Sequence, residues 1–464
     1  MRKSKFFIAP LAGAIAVFVF LAWAFSQHGT LGLFRVNGEF HQYFIGAGVL
    51  GLVMLVLSGL YLWKRSRHNP RFPTLLTVFV SILSLFSMVV PSAAFVYTGD
   101  VFAAGIGDTP PQLLIADGSG SSGIPNLAVC FNTRSPTKNT LEWGLAGGAL
   151  ARSQESAAST SHVFMLRDLV PDSRYEYRVN GGAPAYFNSL PAGGKIRFAV
   201  GSDAHFGAAD ASRQASDAML AQIADPANGY GMFFALGDLV EYGFTRGQWQ
   251  EAFDSMASAS ATIPTRYLPG NHDTLFAGFG NFQDYCYPPG MDLQSGSPLW
   301  YRVDAGNVHF LCLDIEWSAE SITVAQEAWL RAQLESIPAG DWKIVLCHGF
   351  FYASGSVSEG WPWYDNQETI SRLGPLFEEF NVDLVFSGHA HQLELLRHAG
   401  VTYAVCGAFG GAPDEPRSYT SPASVWYENG SYGFADVSID GNACTLTIRD
   451  PNGAPLKTIS VVKG

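Results

Sequence analysis

Charge is scarce in this chain, and nothing beyond its first hundred residues concentrates the basic kind. Asp, Glu, Lys and Arg make up 15% of the 464 residues, with 40 acids against 28 bases and a net charge of −12. No basic patch or stripe appears after residue 97, so the electrostatic footprint of a nucleic-acid-binding protein is missing. Six cysteines are scattered without a CxxC pair, so no paired-thiolate zinc motif or dithiol redox motif is written here. Cys312, Cys347 and Cys406 fall in apolar strand-like runs, where a small buried thiol is the ordinary occupant.

What the chain has instead is apolar length. Hydrophobic residues reach 48%, and the excess lies at the start. Residues 6–25, "FFIAPLAGAIAVFVFLAWAF", carry no charge and are long enough to span a bilayer. Residues 44–63 form a second such run and 72–97 a third, with Pro91 expected to kink its end. Residues 1–100 are therefore expected to be a membrane region with three transmembrane helices. Arg2, Lys3 and Lys5, with the small-x-small triplet at 22–24, also fit a signal peptide, but the apolar stretch is longer than a usual signal core. Lys64, Arg65, Arg67 and Arg71 separate the second and third runs, which puts everything after residue 97 on the extracytoplasmic side of the cell membrane. "GAGVLG" at 46–51 fits a dinucleotide-binding glycine pattern, yet it has no strand before it and no acid after it, so it reads as a helix-packing surface. No charge sits at mid-depth in these runs, which argues against a transporter.

The linker-like stretches "GIGDTPPQ" and "GSGSSGIP" come next. Residues 106–192 then show short alternating segments, such as 127–131, 162–166 and 175–179, broken by Pro, Gly and Asn turns. This is the pattern of a small all-β sandwich. From 195 to 464 the pattern changes. "KIRFAVG" and "GMFFALGD" are buried strand runs, and "AADASRQASDAMLAQIAD" between them has helical periodicity. Further helices are expected over 247–256, 323–337 and 367–380, and further strands over 263–268, 300–304, 308–314, 342–346, 382–386 and 401–405. A closing hairpin turns at Asp440-Gly441. The alternation predicts an α/β (α+β) domain with mixed strand directions.

Five of these strands end on turns rich in Asp, Asn and His: "SDAH" (202–205), "GDLVE" (237–241), "GNHD" (270–273), "CHG" (347–349) and "SGHAH" (387–391). In an open α/β sheet such ends lie side by side along one edge, where ligands bind. Asp, His and Asn offer oxygen and imidazole nitrogen to a divalent or trivalent transition metal without a thiolate. There are more donors than one ion takes. Two ions would need a bridging carboxylate, and Asp238 lies in the middle of the set. Singly, Asp203 reads as a helix N-cap, Asn271 as a turn residue, His348 as a core histidine and Asp238 as a loop acid. Jointly, five coincidences at five strand ends make the poorer reading. His28, His41, His68, His162, His309 and His398 lie outside these turns and are given no role.

The ordered set D-x-H, G-D-x-x-E, G-N-H-D, a later His-Gly and G-H-x-H resembles the calcineurin-like metallophosphoesterase superfamily, over residues 195–464. A β-rich segment directly ahead, together with V-x-x-H ending at His348, makes the layout most similar to purple acid phosphatases, whose preceding domain is fibronectin III-like. "LRDLVPDSRYEYRV" (166–179) resembles the closing strands of that domain. The resemblance implies a metallophosphoesterase β-sandwich flanked by helices and two transition metal ions drawn from Mn, Fe or Zn. It assigns Asp203, His205, Asp238 and His391 to the first ion, and Asp238, Asn271, His348 and His389 to the second. It makes His272 the acid that protonates the leaving oxygen, with Asp273 orienting its imidazole. Two positions depart from the purple enzymes. Glu241 stands where they carry a metal-binding Tyr, with Tyr242 one residue further on, and His205 stands where they carry Gly.

The expected function is a membrane-anchored phosphoesterase that hydrolyses phosphate esters outside the cytoplasm by metal-activated hydroxide attack. Its partners are the phosphate ester and the lipid bilayer, with no nucleic acid. The alternatives are a phosphodiesterase or pyrophosphatase on lipid-linked substrates, and a non-catalytic receptor that binds phosphate or a protein partner. Against the receptor stands the full ligand set together with His272. Residues 349–366, "GFFYASGSVSEGWPWYDN", are expected to overhang the metals, with Trp361 and Trp363 shaping the pocket.

Overall fold

The computed structural model describes residues 106–119, 123–275, 278–291, 297–358 and 361–463. The expected membrane spans at 6–25, 44–63 and 72–97 lie outside the described residues. Among the described residues no helix is long and apolar enough to cross a membrane. Gly105–Asp273 and Phe282–Gly464 form one compact unit, which holds all five polar turns.

Runs of aromatic and β-branched residues build two large sheets. The first has the order Pro455–Val462, Ala443–Arg449, Phe434–Asp440, Ile196–Gly201, Met232–Ala235, Thr265–Tyr267, Gln112–Ser119, Pro125–Thr137, Ser159–Leu166. The second has the order Tyr301–Ala305, Val308–Cys312, Trp342–Leu346, Leu384–Ser387, Val401–Cys406, Leu393–His398, Ser424–Glu428. Their inward faces share one apolar core. At its centre Phe310 meets Phe198 edge to face at 5.0 Å and Phe234 at 4.8 Å between ring centroids, within the range aromatic pairs favour.

Helices cover the outer faces. In Val324–Ser336, Leu330 and Leu334 lie one turn apart on the buried side, as do Leu373 and Phe377 in Gln367–Glu379. All four join Val345 and Val385 of the second sheet in a common cluster. Thr323 and Asn366 start these helices by accepting the Gln326 and Thr369 amide protons at 3.1 and 3.2 Å. On the first sheet, Arg246–Ser260 sets Phe253 against Tyr267 at 6.3 Å, and Arg213–Ala224 lies beside it. Ser212, and not Asp203, caps Arg213–Ala224.

Strand directions are mixed, as expected, but the five motif strands do not share one sheet. Three of them, Ile196–Gly201, Met232–Ala235 and Thr265–Tyr267, run parallel in the first sheet. The other two, Trp342–Leu346 and Leu384–Ser387, run parallel in the second. Pairing is a non-local choice that period-two alternation does not record. Because the sheets stack, their strand ends still open onto one place.

Residues 112–188 supply seven strands, three in the first sheet and four in a separate sheet ordered Ala151–Gln154, Thr140–Leu145, Arg174–Val179, Ala185–Asn188. Leu127, Val129, Leu141, Phe164, Tyr175 and Phe187 from both groups are buried in one cluster. This segment is tied into the strands and helices of residues 195–464. Leu114 pairs with Thr265 in parallel, and the Tyr177 hydroxyl donates to Ala261 O at 2.9 Å. Buried Arg266, its guanidinium 4.0 Å from the Tyr287 and Tyr301 ring centroids, donates to Ile115 O at 3.1 Å. All six cysteines are buried and unpaired.

Candidate metal centre

The polar turns leave the strands on strained backbone. Asp203, His205, Asp238 and His389 have φ of 63°, 49°, 48° and 67°. Non-glycine residues occupy that left-handed region at a cost of about 1–3 kcal/mol, usually where function holds them there. The turns brace one another. Asp203 N–H donates to Gly237 O at 3.1 Å, His205 N–H to Asp238 O at 3.0 Å, and Gly388 N–H to His348 O at 2.8 Å. Across the two sheets, His389 N–H donates to Asp203 Oδ2 at 2.9 Å. A Cβ on Gly388 would lie 2.0 Å from Ser202 Oγ, so this close approach requires glycine.

Two donor groups result. In the first, His205 Nδ1–H donates to Glu241 Oε2 at 2.7 Å and His391 Nδ1–H to Ala412 O at 2.7 Å. In the neutral rings both Nε2 atoms are then acceptors, and they face each other at 3.0 Å. Asp203 Oδ1, buried and without a hydrogen-bond donor, lies 3.3 Å from His391 Nε2 and 3.8 Å from His205 Nε2. Three lone pairs converging in a buried place suit a cation. In the second group, His348 Nδ1–H donates to Leu236 O at 3.0 Å. Its Nε2 faces His389 Nδ1 and Asn271 Oδ1, both at 3.1 Å, and Asp238 Oδ2 at 3.3 Å. Asp238 Oδ2 also lies 3.6 Å from His205 Nε2, so one carboxylate reaches both groups. Imidazole nitrogens and carboxylate or amide oxygens with no thiolate form a donor set that fits Mn, Fe or Zn.

Without an ion, protons sit among these donors: burial works against charged His205 and His391, but Asp203, with Glu241 at His205, raises both. Burial alone would lift the Asp203 and Asp238 carboxyls, but surrounding imidazoles, His348 foremost, hold both well below the usual range. Burial also works against a charged His348, yet Asp238 and Asp203 raise it to about 9. Burial and the neighbouring His348 push His389 well below its ordinary value, which leaves a neutral ring with a free lone pair. Where metals bind, protons and cations compete for such atoms.

His272 lies beside the first group, with its ring 4.7 Å from that of His205 and its side chain 31% exposed. Its Nδ1 donates to the Glu241 carbonyl at 2.8 Å. Asp273 does not orient it. The buried Asp273 carboxylate accepts instead from the backbone N–H of Leu239, Val240 and Gly270 at 2.9, 3.1 and 3.1 Å. Adjacent residues on a helical turn point to different sides, so Asp273 pins the Asp238 and Asn271 turns together while His272 faces outward. Burial, and then the Asp238 charge, push the Asp273 carboxyl up to about 8.

Residues 196–393 match the family model described as calcineurin-like phosphoesterase. The chain is 23% identical over 296 residues to purple acid phosphatase 18 of Arabidopsis thaliana, covering 60% of this chain and 65% of that protein. It is 22% identical over 324 residues to the same plant's Fe(3+)-Zn(2+) purple acid phosphatase 12, covering 64% of this chain and 67% of that one. Among solved structures, the purple acid phosphatase PPD1 from yellow lupin (Lupinus luteus) seeds matches with a TM-score of 0.65 at 17% identity, over 77% of this chain and 74% of that chain. This last likeness shows a shared fold. The chain spans between about a third and two thirds of the length of the curated relatives it matches.

Within the matched residues, Glu241 stands where the purple enzymes carry tyrosine. It forms a group with His205 and His272, its carboxylate lying 2.7 Å from His205 Nδ1 and 3.6 Å from His272 Nδ1. Tyr242 is 41% exposed and stacks on Phe244. Trp363 lies in the overhanging stretch, with its ring 4.6 Å from that of His389; the Trp361 side chain lies outside the described residues. Two neighbours escaped the sequence motifs. The Trp317 ring is 4.9 Å from that of His389, and Asp414 Oδ2 accepts from His391 N–H at 2.9 Å and Trp363 Nε1–H at 3.0 Å. Neither belongs to a polar turn after a strand, so no motif pointed to them. His162 and His309 sit in structural networks, on Glu155 and on Asp304 with Asp341.

Proposed function

We propose that this protein is a membrane-anchored phosphoesterase that uses two metal ions to hydrolyse phosphate esters outside the cytoplasm. One observation carries the catalytic part: the buried Asp238 carboxylate reaches both donor groups with a single oxygen. Asp203, His205, Asp238 and His391 would hold one ion, and Asp238, Asn271, His348 and His389 the other, with Mn, Fe or Zn as candidates. Bound there, the ions supply Lewis-acid activation of water and of the phosphoryl group. His272 gives a proton to the leaving oxygen. The Glu241 carbonyl engages its Nδ1, which leaves Nε2 for the substrate. Glu241, placed where the purple enzymes have tyrosinate, orients His205 and makes a purple centre unexpected.

Anchoring and outward orientation rest on the uncharged runs 6–25, 44–63 and 72–97 and the basic residues between the last two. We read residues 106–192 as a fibronectin III-like sandwich. The three-plus-four division of strands supports this, as does the Tyr175 hydroxyl accepting from Val170 N–H at 2.8 Å, in the manner of a tyrosine corner.

The test strips metal from the full chain, restores Mn, Fe or Zn singly, and measures hydrolysis of p-nitrophenyl phosphate, bis-p-nitrophenyl phosphate and an alkyl phosphate. Metal-dependent turnover is expected. His272→Ala should lower kcat by about 10²–10⁴-fold for the alkyl ester, whose leaving oxygen most needs a proton, with metal content unchanged. Two bound ions with no turnover under any metal would turn the reading to a non-catalytic phosphate binder.

A further inference from the structure

A cavity of about 810 Å³ opens beside His389, walled by the loops around residues 317–320, 350–356, 362–368 and 414–419. Its walls are aromatic. Trp317 and Trp363 stand at 76° to each other with centroids 6.5 Å apart, and both rings abut that of His389. Phe350 closes on Trp363 at 5.6 Å, and Tyr364 stacks on Tyr419 at 4.2 Å further along the wall. Trp317 keeps 37% of its surface exposed although large apolar rings are usually covered.

The charge of this cavity has one sign. Glu320, Glu368 and Glu415 line it as exposed carboxylates, and among the described residues no lysine or arginine lines it. Asp365 and Asp414 lie deeper and are committed to structure: Asp365 accepts from the Tyr419 hydroxyl at 2.6 Å, and Asp414 from Trp363 Nε1–H at 3.0 Å. The cavity shares His389 with the second donor group, so it adjoins the place where a phosphate ester held by that group would lie. A second phosphate or a carboxylate there would meet like charge. An ammonium group would meet ring faces and carboxylates, the two surfaces that recognise it.

We propose that the alcohol part of the substrate is cationic, so that the preferred substrates are phosphate esters of ammonium alcohols of the choline and ethanolamine type. This rests on the phosphoesterase reading and narrows it. In the reaction the oxygen of water bonds to phosphorus as the phosphorus–oxygen bond to the alcohol breaks. His272 gives its proton to the departing oxygen, and the proton released from water passes to solvent.

The experiment compares, on the metal-restored full chain, phosphocholine with 3,3-dimethylbutyl phosphate, which has the same shape without the charge. Phosphatidylcholine vesicles run in parallel. The expected result is a kcat/KM for the cationic ester roughly ten-fold or more above its neutral isostere. That ratio should fall toward one in Glu320→Gln/Glu368→Gln and in Trp317→Leu. Turnover of free phosphocholine alone places the ester in solution, and release of free choline from the vesicles alone places it at a lipid surface; either supports a cationic leaving group, whereas release of diacylglycerol with phosphocholine overturns it. Equal or better turnover of the neutral isostere overturns the proposal, as does a preference that the variants leave unmoved. p-Nitrophenyl phosphate separates the two readings: if it is hydrolysed without a cation preference, only the cationic leaving group falls. If no ester is hydrolysed, calorimetry with tetramethylammonium against neopentyl alcohol still decides. Saturable binding of the cation alone, weakened by Trp317→Leu, keeps the cavity assignment, and no binding removes it.

Discussion

Glu241 is the residue whose replacement separates two roles most cleanly. Its carboxylate accepts from His205 Nδ1–H at 2.7 Å, while its backbone carbonyl accepts from His272 Nδ1–H at 2.8 Å. Burial would raise this carboxyl, but the hydrogen bond to His205 and the nearby imidazoles outweigh it and keep the group below its ordinary value, hence ionised. Glu241→Gln retains an acceptor for His205 and removes the charge. A hydrogen bond to a charged group is worth about 1.5–3 kcal/mol against about 0.5–1.5 for a neutral one, so the loss is about 1 kcal/mol. Because Glu241 is partly solvated, this converts to roughly a five-fold weakening of the ion held by His205. Glu241→Ala removes the whole bond and should weaken that ion by about 10–100-fold, the usual cost of losing a carboxylate behind a histidine ligand. Neither change touches the carbonyl that holds His272. The assay is competitive metal titration of the full chain and then kcat at saturating metal. Weakened affinity for one of two ions, with kcat at saturation within a few-fold of wild type, is the expected result. Unchanged affinity with a collapsed kcat would refute the reasoning and place Glu241 on the substrate instead.

Asp273→Asn should cost far less in kcat at saturating metal than His272→Ala, because the Asp273 carboxyl contacts backbone amides and not His272. A loss in kcat as large as that of His272→Ala, with metal content unchanged, would restore the orienting role expected from the sequence. Asp436 accepts from Arg197 Nε and Nη2, both at 2.8 Å, and from Arg449 Nε at 2.7 Å, joining three neighbouring strands of the first sheet. Asp436→Asn should therefore destabilise the chain by about 1–3 kcal/mol at neutral pH. Burial opposes ionisation of Asp436, but Arg197 and Arg449 hold its folded pKa below the ordinary value. Its contribution is thus present above about pH 4 and is lost as pH falls through the depressed folded value. Thermal unfolding of the two proteins should converge in strong acid, and a gap that persists there would contradict the ion-pair account.

Much of the chemistry is legible in one dimension because strand ends are local events. An apolar run ending in a glycine and polar residues tells where a strand stops and what it releases, and all seven expected ligand residues lie in such turns. Their convergence on Asp238, and the facing Nε2 atoms of His205 and His391, depend on two sheets stacking. That comes from apolar faces with partners far away in sequence, such as Phe198 and Phe310. The tertiary structure alone decided that Asp273 braces backbone, that Glu241 serves His205, and that Trp317 and Asp414 border the centre. Those residues act through contacts made across the fold, and no period or spacing encodes which side chain a carboxylate will reach. By itself the sequence determined the ligand types, their order and the α/β alternation, because backbone sterics and burial act residue by residue. Distances between ligands came only with packing.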